Sequence, residues 1–351
     1  MSIERTISAP YMCDIRHLPP IFVVSLDVEL KWGVHDSMPC GKYDGNIKGE
    51  RQATEAILDI FDEFGIHATW AIVGFLFFEN KAQLIEHLPA IRPQYSNRVF
   101  CPYRLMDGVG LREADDPLHL GVSLVEMIEK RAHQEVATHT FSHYYCLEDG
   151  QDAAAFDADM AAAVAAARRH GLAIDSIVFP RHQVNPAYLA ICRRHGIRAF
   201  RGTERHWLYT PRKVADETLL RRGLRVVDIW LNISGHHTIV PTAAAPGLPV
   251  DVAHSRFLRP YNRRMKLLEP LRLRRIIRGL DQAARRGEMF HLWWHPHNFG
   301  VDLKENMQML RQILEHVRVL QQQSGMQSLN MREVAELCEP VTDVVPATLA
   351  G

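Results

Sequence analysis

Apolar positions along this chain fall into two patterns, and the two alternate. Short runs such as Ile21-Phe22-Val23-Val24-Ser25-Leu26 are apolar at nearly every position, which reads as a strand buried on both faces. Between the runs lie stretches with apolar residues three and four apart. Ala53, Ala56, Ile57, Ile60, Phe61 and Phe64 make such a stripe over residues 50–64, and Gly65 ends it. Strands are therefore expected at 21–26, 68–73, 135–138, 175–179, 197–200, 224–231 and 289–294. Helices are expected at 50–64, 81–90, 121–132, 152–170, 186–195, 273–284, 306–320 and 331–338. Residues 93–117 show little periodicity and read as a loop that shapes a cleft. Residues 235–270, with Pro241, Pro246 and Pro249, read as an insertion. The expected organisation is one domain over 1–340 carrying that insertion, then a tail over 341–351.

Apolar strands separated by helices imply parallel strands covered by helices, an α/β architecture. No Gly-x-Gly-x-x-Gly or phosphate-loop motif occurs, so a (β/α) barrel fits better than a nucleotide-binding sheet. The polar motifs follow the expected strands, which would gather them on one rim.

Composition narrows the function. A chain of 351 residues can bury a large core. Lys plus Arg and Asp plus Glu number 41 each, so no overall field favours nucleic acid. The six cysteines are scattered with no Cys-x-x-Cys spacing, which favours a reduced protein over a disulfide scaffold. No secretory signal and no membrane-spanning run is visible, so a cytoplasmic location is expected.

The candidate chemistry centres on His139-Thr140-Phe141-Ser142-His143. Two histidines four apart face one metal ion if the chain turns helically after Thr138. Asp27 and Glu29 end the first apolar run, and period-two geometry puts both on one side. Capping or turn formation is the plainer explanation for that pair; a site is the other. A third cluster, His291-Leu292-Trp293-Trp294-His295-Pro296-His297, lies at the last strand. Together these groups suggest a hydrolytic metal site.

These motifs resemble the polysaccharide deacetylase (NodB-homology) family. The family's His-Ser/Thr-x-x-His motif is similar to residues 139–143, and Gln134-Glu135-Val136-Ala137 before it also looks like the family. Residues 57–70 resemble its helix-Gly-strand segment, Phe179-Pro180-Arg181 its arginine motif, and the strand ending in His295 its last motif. The similarity spans roughly residues 20–300 and is closer to relatives from surface-polysaccharide gene sets than to secreted deacetylases. It implies a distorted (β/α)7 barrel and a divalent metal, Zn2+ in the first instance, that removes N-acyl groups from sugars. The chain departs from the family at the first motif, where adjacent aspartates are usual and Asp27 is followed by Val28 and Glu29. The resemblance then implies Asp27 as base and Glu29, His139 and His143 as metal ligands, although Asp27 and Glu29 could trade roles. It also implies His295 as the acid for the leaving amine and Arg181 as the partner that orients Asp27.

Sugar contacts are expected from His297, Asn298, His182, Trp230 and Trp294. Trp293 and Trp294 face opposite sides, so at most one can floor a sugar site. Residues 256–286 hold eleven Lys or Arg and two acids, Glu269 and Asp281. That segment could meet an anionic membrane peripherally, a lipid- or nucleotide-linked phosphosugar or a partner, or be a solvated face. Three functions stay open: a metal-dependent sugar N-deacetylase in cell-surface polysaccharide (O-antigen or capsule) synthesis, another amide hydrolase such as a deformylase or ureide hydrolase, and a non-catalytic carbohydrate-binding protein.

Overall fold

The computed structural model describes residues 18–37, 41–210 and 216–339; the tail expected at 341–351 lies outside them. Strands β1 (Ile21–Val28), β2 (Ala68–Ile72), β3 (Gln134–Thr138), β4 (Ser176–Ile177) and β5 (Ala199–Phe200) run parallel in that order. β6 (Val250–Asp251) pairs with β5, and β7 (Arg256–Phe257) pairs with β8 (Met289–Trp294), which returns to β1. Residues 250–257 act as one bent stave. The amides of Val250, Val252 and His254 donate to the carbonyls of Arg198, Phe200 and Gly202, and those of Ser255 and Leu258 then donate to His291 and Trp293. The parallel staves therefore close on themselves as a seven-stave (β/α) barrel, with β9 (Gln327–Leu329) added beside the start of β1.

Alternation along the staves separates two layers. Phe22, Val24, Leu26 and Val28 of β1 face the surrounding helices, with Trp70, Leu292 and Trp294 in the same cluster. Ile21 and Val23 point inward, where Ala71, Ala137, Ala199 and Met289 join them over the C-terminal helix Met331–Cys338. Small and apolar side chains thus plug the lower barrel, and Ser25 and Asp27 continue the inward-facing row toward the C-terminal rim. Among the described residues no helix is long and apolar enough to cross a membrane.

Most expected helices form where periodicity placed them, Glu50–Phe64 and Met331–Cys338 with the same ends. The strand expected at 224–231 does not form. Residues Leu219–Val227 are a helix, begun by the Thr218 hydroxyl accepting from the Arg221 amide. Arg221 and Arg225, one turn apart, both pair with Glu217, at 3.7 and 2.7 Å. The sixth stave comes instead from inside the segment read as an insertion. Its two paired pieces are two residues each, too short to show an apolar run.

Candidate metal and catalytic centre

The His139–His143 segment is not helical. Thr140 and His143 take left-handed backbone angles, with φ of 62° and 58°. Asp159 holds the turn: its carboxylate accepts from the amides of Phe141 (2.7 Å) and Ser142 (3.2 Å) and from the Ser142 hydroxyl (2.5 Å). The Thr140 hydroxyl accepts from the Tyr144 amide at 2.7 Å. Gly74 lets the turn pack against the next loop, since a Cβ there would lie 2.5 Å from the Phe141 ring. Burial pushes the Asp159 carboxyl up to about 7 despite these donors.

Glu29, one residue past β1, lies between the two histidines. Its Oε2 is 3.3 Å from His139 Nε2 and 3.2 Å from His143 Nε2, and one donor atom from each of the three lies within 4.8 Å of the others. All three residues are buried. His139 Nδ1 donates to the Val178 carbonyl at 2.8 Å, which leaves Nε2 as the lone-pair nitrogen facing Glu29. Burial pushes His143 down to about 4, so its ring is neutral. A carboxylate facing two ring nitrogens in a buried space is stable only with a cation or shared protons between them. Two nitrogens and one oxygen, a three-residue donor set, suit zinc or a similar divalent ion.

Gly33 supplies the room for Glu29. A Cβ at Gly33 would lie 1.9 Å from the Glu29 carboxyl carbon. Gly33→Ala is expected to displace that carboxylate and weaken metal binding by about 10–100-fold, with the circular dichroism spectrum unchanged. Metal content after dialysis against a weak chelator reads this directly; unchanged retention would mean Glu29 is no ligand.

Asp27 is clamped by an arginine, but not by Arg181. Both Asp27 oxygens accept from Arg201, Nη1 at 2.7 Å and Nη2 at 2.6 Å, and Arg201 is only 1% exposed. Arg181 instead donates to Asp36 at 2.5 Å and lies over the Tyr145 ring. The reason is topological: Arg201 follows β5 and reaches across the barrel, whereas Arg181, in a turn with φ of 53°, is directed to Asp36 and the Tyr145 ring beside His143. Burial alone would raise Asp27, but the charge of Arg201 holds it well below the usual carboxylate range. Behind Arg201 a hydrogen-bond chain continues. Its Nη1 donates to Ser25 Oγ (2.9 Å), Ser25 pairs with His291 Nε2 (2.8 Å), and His291 Nδ1 donates to the Val252 carbonyl (3.0 Å). His291 therefore supports the site from beneath.

His295 faces both acids, with Nε2 at 3.3 Å from Glu29 Oε1 and 3.8 Å from Asp27 Oδ2. Asn298 donates to His295 Nδ1 at 3.4 Å, and Tyr43 donates to Asn298 Oδ1 at 2.7 Å. That network orients the ring with Nε2 toward the carboxylates. His297 stacks on His295 at 4.9 Å, with Nδ1 3.7 Å from the buried Glu50. His297 and Asn298 are buried and back His295 rather than lining a sugar surface.

Trp294 is a core residue, packed on Phe61 and Phe299 at 6.2 and 5.8 Å. Trp293, in register with Ser25, is the inward one. It lies under the Arg201 guanidinium at 4.4 Å and beside His182 (4.5 Å), His254 (5.3 Å) and His295 (5.5 Å). Of the expected sugar contacts, His182 alone stands on this wall. Trp230 follows a helix, not a strand, and lines an outer groove with Val226 and Met265. Arg201, His254 and Asp159 escaped the sequence reading. Arg201 carried one usable signal, a charged residue directly after an expected strand.

No family model matches the sequence, and neither does any curated protein. Solved structures do match by shape. A protein from Mycobacterium smegmatis described as a polysaccharide deacetylase superposes with a TM-score of 0.58 at 14% identity, over 95% of this chain and 94% of that one. PuuE allantoinase matches with a TM-score of 0.52 at 11% identity, over 96% and 97%. The 4-alpha-glucanotransferase of Thermococcus litoralis gives 0.52 at 11% identity, over 91% of this chain but 40% of that one. By fold, this chain is an α/β barrel of the polysaccharide deacetylase type.

Proposed function

We propose that this protein is a divalent-metal-dependent hydrolase that removes an N-acyl group, N-acetyl first among them, from a sugar in the synthesis of a cell-surface polysaccharide. The observation that carries the reading is the convergence of Asp27, His295 and the Glu29–His139–His143 cluster at one barrel mouth, with Asp27 fixed by Arg201. Zinc held by Glu29, His139 and His143 would polarise the acyl carbonyl and acidify the attacking water. Asp27, kept ionised by Arg201, accepts the water proton as oxygen bonds to the acyl carbon. His295, acting as the imidazolium, gives its Nε2 proton to the nitrogen as the carbon–nitrogen bond breaks, so that the amine leaves neutral and the ring is left as neutral imidazole. Asn298 and His297 hold that ring in place, and Trp293, His182 and His254 form the wall nearest the acyl-bearing sugar.

The test pairs metal analysis with product analysis. About one equivalent of metal and release of acetate or formate from a panel of N-acylated amino sugars is expected. Allantoin belongs in the panel because PuuE allantoinase shares the fold over nearly the whole of both chains. Ring opening without acid release would replace the deacetylase reading with a ureide hydrolase. A metal-loaded protein that turns over nothing in the panel would leave a carbohydrate-binding module.

A further inference from the structure

Away from the metal centre, the bent stave and the helix Glu269–Arg286 enclose a narrow cavity lined by Arg225, Arg256, Arg259, Arg272 and Arg275. Glu204 is the one acid in that lining, and burial pushes it up to about 7, so it offers less than a full negative charge. Arg272 and Arg275 are 5% and 4% exposed, and the Nε–H of each is buried with no acceptor among the described residues. Asp228 is already engaged by Arg256 at 2.7 Å, and by Tyr209 and Ser234. No carboxylate pairs with Arg259 among the described residues, and Arg259 is exposed. Burial, then the charge of Arg256, push Arg275 down to about 10. Glu217 pairs with Arg225 at 2.7 Å, Glu269 with Arg272, and Asp228 also lies 3.7 Å from Arg275, so three carboxylates from outside the lining face five guanidiniums. Guanidinium groups that outnumber the acids around them in an enclosed space are stabilised by an anion, and their forked donors suit phosphoryl oxygens.

Two further features give that anion a setting. Phe257 also lines the cavity, and its ring is 4.4 Å from Trp293 and 6.0 Å from His295. One aromatic ring thus separates the arginines from the proposed acid. On the other side, Arg259 and Arg272 are shared with an adjoining groove of about 240 Å3 lined by Val226, Ile229, Trp230 and Met265. The helix that supplies Val226 also exposes Leu219 at 83%, and the segment that supplies Met265 exposes Leu267 at 86%. A cationic cavity that opens into an apolar groove is complementary to a ligand with a charged head and an apolar chain.

We infer that this cavity and groove bind the phosphoryl group and adjoining apolar chain of a lipid-linked sugar, whose acylated ring then reaches His295 past Phe257. The inference rests on the deacylating reading of the barrel mouth, but its test needs no turnover. Calorimetric titrations of the full-length, chelator-treated protein use three probes: geranyl diphosphate, inorganic pyrophosphate and UDP. Chelation removes diphosphate binding at the metal centre from the signal. Geranyl diphosphate is expected to bind at least about tenfold more tightly than pyrophosphate. Arg259→Glu is expected to weaken both by about tenfold or more, whereas Met265→Glu weakens geranyl diphosphate alone. Tighter binding of UDP than of geranyl diphosphate would overturn the lipid assignment in favour of a nucleotide carrier. Absence of binding by all three probes, or binding unaffected by Arg259→Glu, would overturn the site itself. Failure of the deacylase reading would show differently, as intact geranyl diphosphate binding by a protein that releases no acid from any acyl sugar.

Discussion

His139→Ala is expected to strip the protein of metal and of hydrolysis together, while Asp27→Asn keeps the metal and loses about 10²–10⁴-fold in kcat. The difference follows from position. His139 presents Nε2 to Glu29 with its other nitrogen tied to the Val178 carbonyl, so its loss opens the donor set itself. Asp27 has both oxygens occupied by Arg201 and lies 3.8 Å from His295 Nε2. Because Arg201 keeps Asp27 well below the usual carboxylate range, the acid limb of kcat/KM should not be set by Asp27. Metal content by mass spectrometry, read beside acid release, decides the assignment; equal metal loss in both variants would make Asp27 a ligand and leave the base to another acid.

Arg201→Leu is expected to be the most damaging substitution to the fold itself. Arg201 and Asp27 are 1% and 2% exposed, so removing the guanidinium leaves a buried carboxylate with no matching charge. Breaking such a pair costs about 3–5 kcal/mol. The deficit should depend on pH in a defined direction. In the wild type the Asp27 pKa is depressed on folding, so its stabilisation is present above the unfolded value near ~4 and lost as pH falls through the folded one. Without Arg201, burial dominates and raises that pKa, so the ionised form opposes folding above ~4. Urea unfolding of the two proteins should therefore differ most at neutral pH; the gap narrows toward pH ~4 as the variant's penalty disappears, and closes only as pH falls through the folded Asp27 value, well below that. An equal deficit at both ends would show that the loss is one of packing over Trp293 rather than of charge. The double variant Asp27→Asn/Arg201→Leu should recover part of the loss, because no buried charge is then left unpaired.

Much of this architecture could be read from the chain before any coordinates. Helical stripes and buried apolar runs are local patterns, and the chain keeps them: residues 50–64 and 331–338 are helical to the residue. The candidate ligand triad was also legible, because Glu29, His139 and His143 follow β1 and β3, and neighbouring parallel strands bring their C-terminal ends to one rim. Where reading failed, the deciding contacts were distant in sequence. The sixth stave consists of two-residue pairings that only their neighbours make into a strand, so residues 250–257 gave no apolar run while 224–231 gave a misleading one. Alternation showed that Trp293 and Trp294 part company, but only register with Ser25 shows that Trp293 is the inner one. The partner of Asp27 depended on the same global closure. Arg181 and Arg201 both follow strands, and reaching Asp27 requires crossing a closed barrel from β5, which nothing local to either arginine encodes. The sequence by itself determined most of the elements and marked out Asp27, Glu29, His139 and His143, which gather at the barrel mouth. The tertiary structure alone decided which charge holds Asp27 in place, because an ion pair 174 residues apart exists only once the staves have closed.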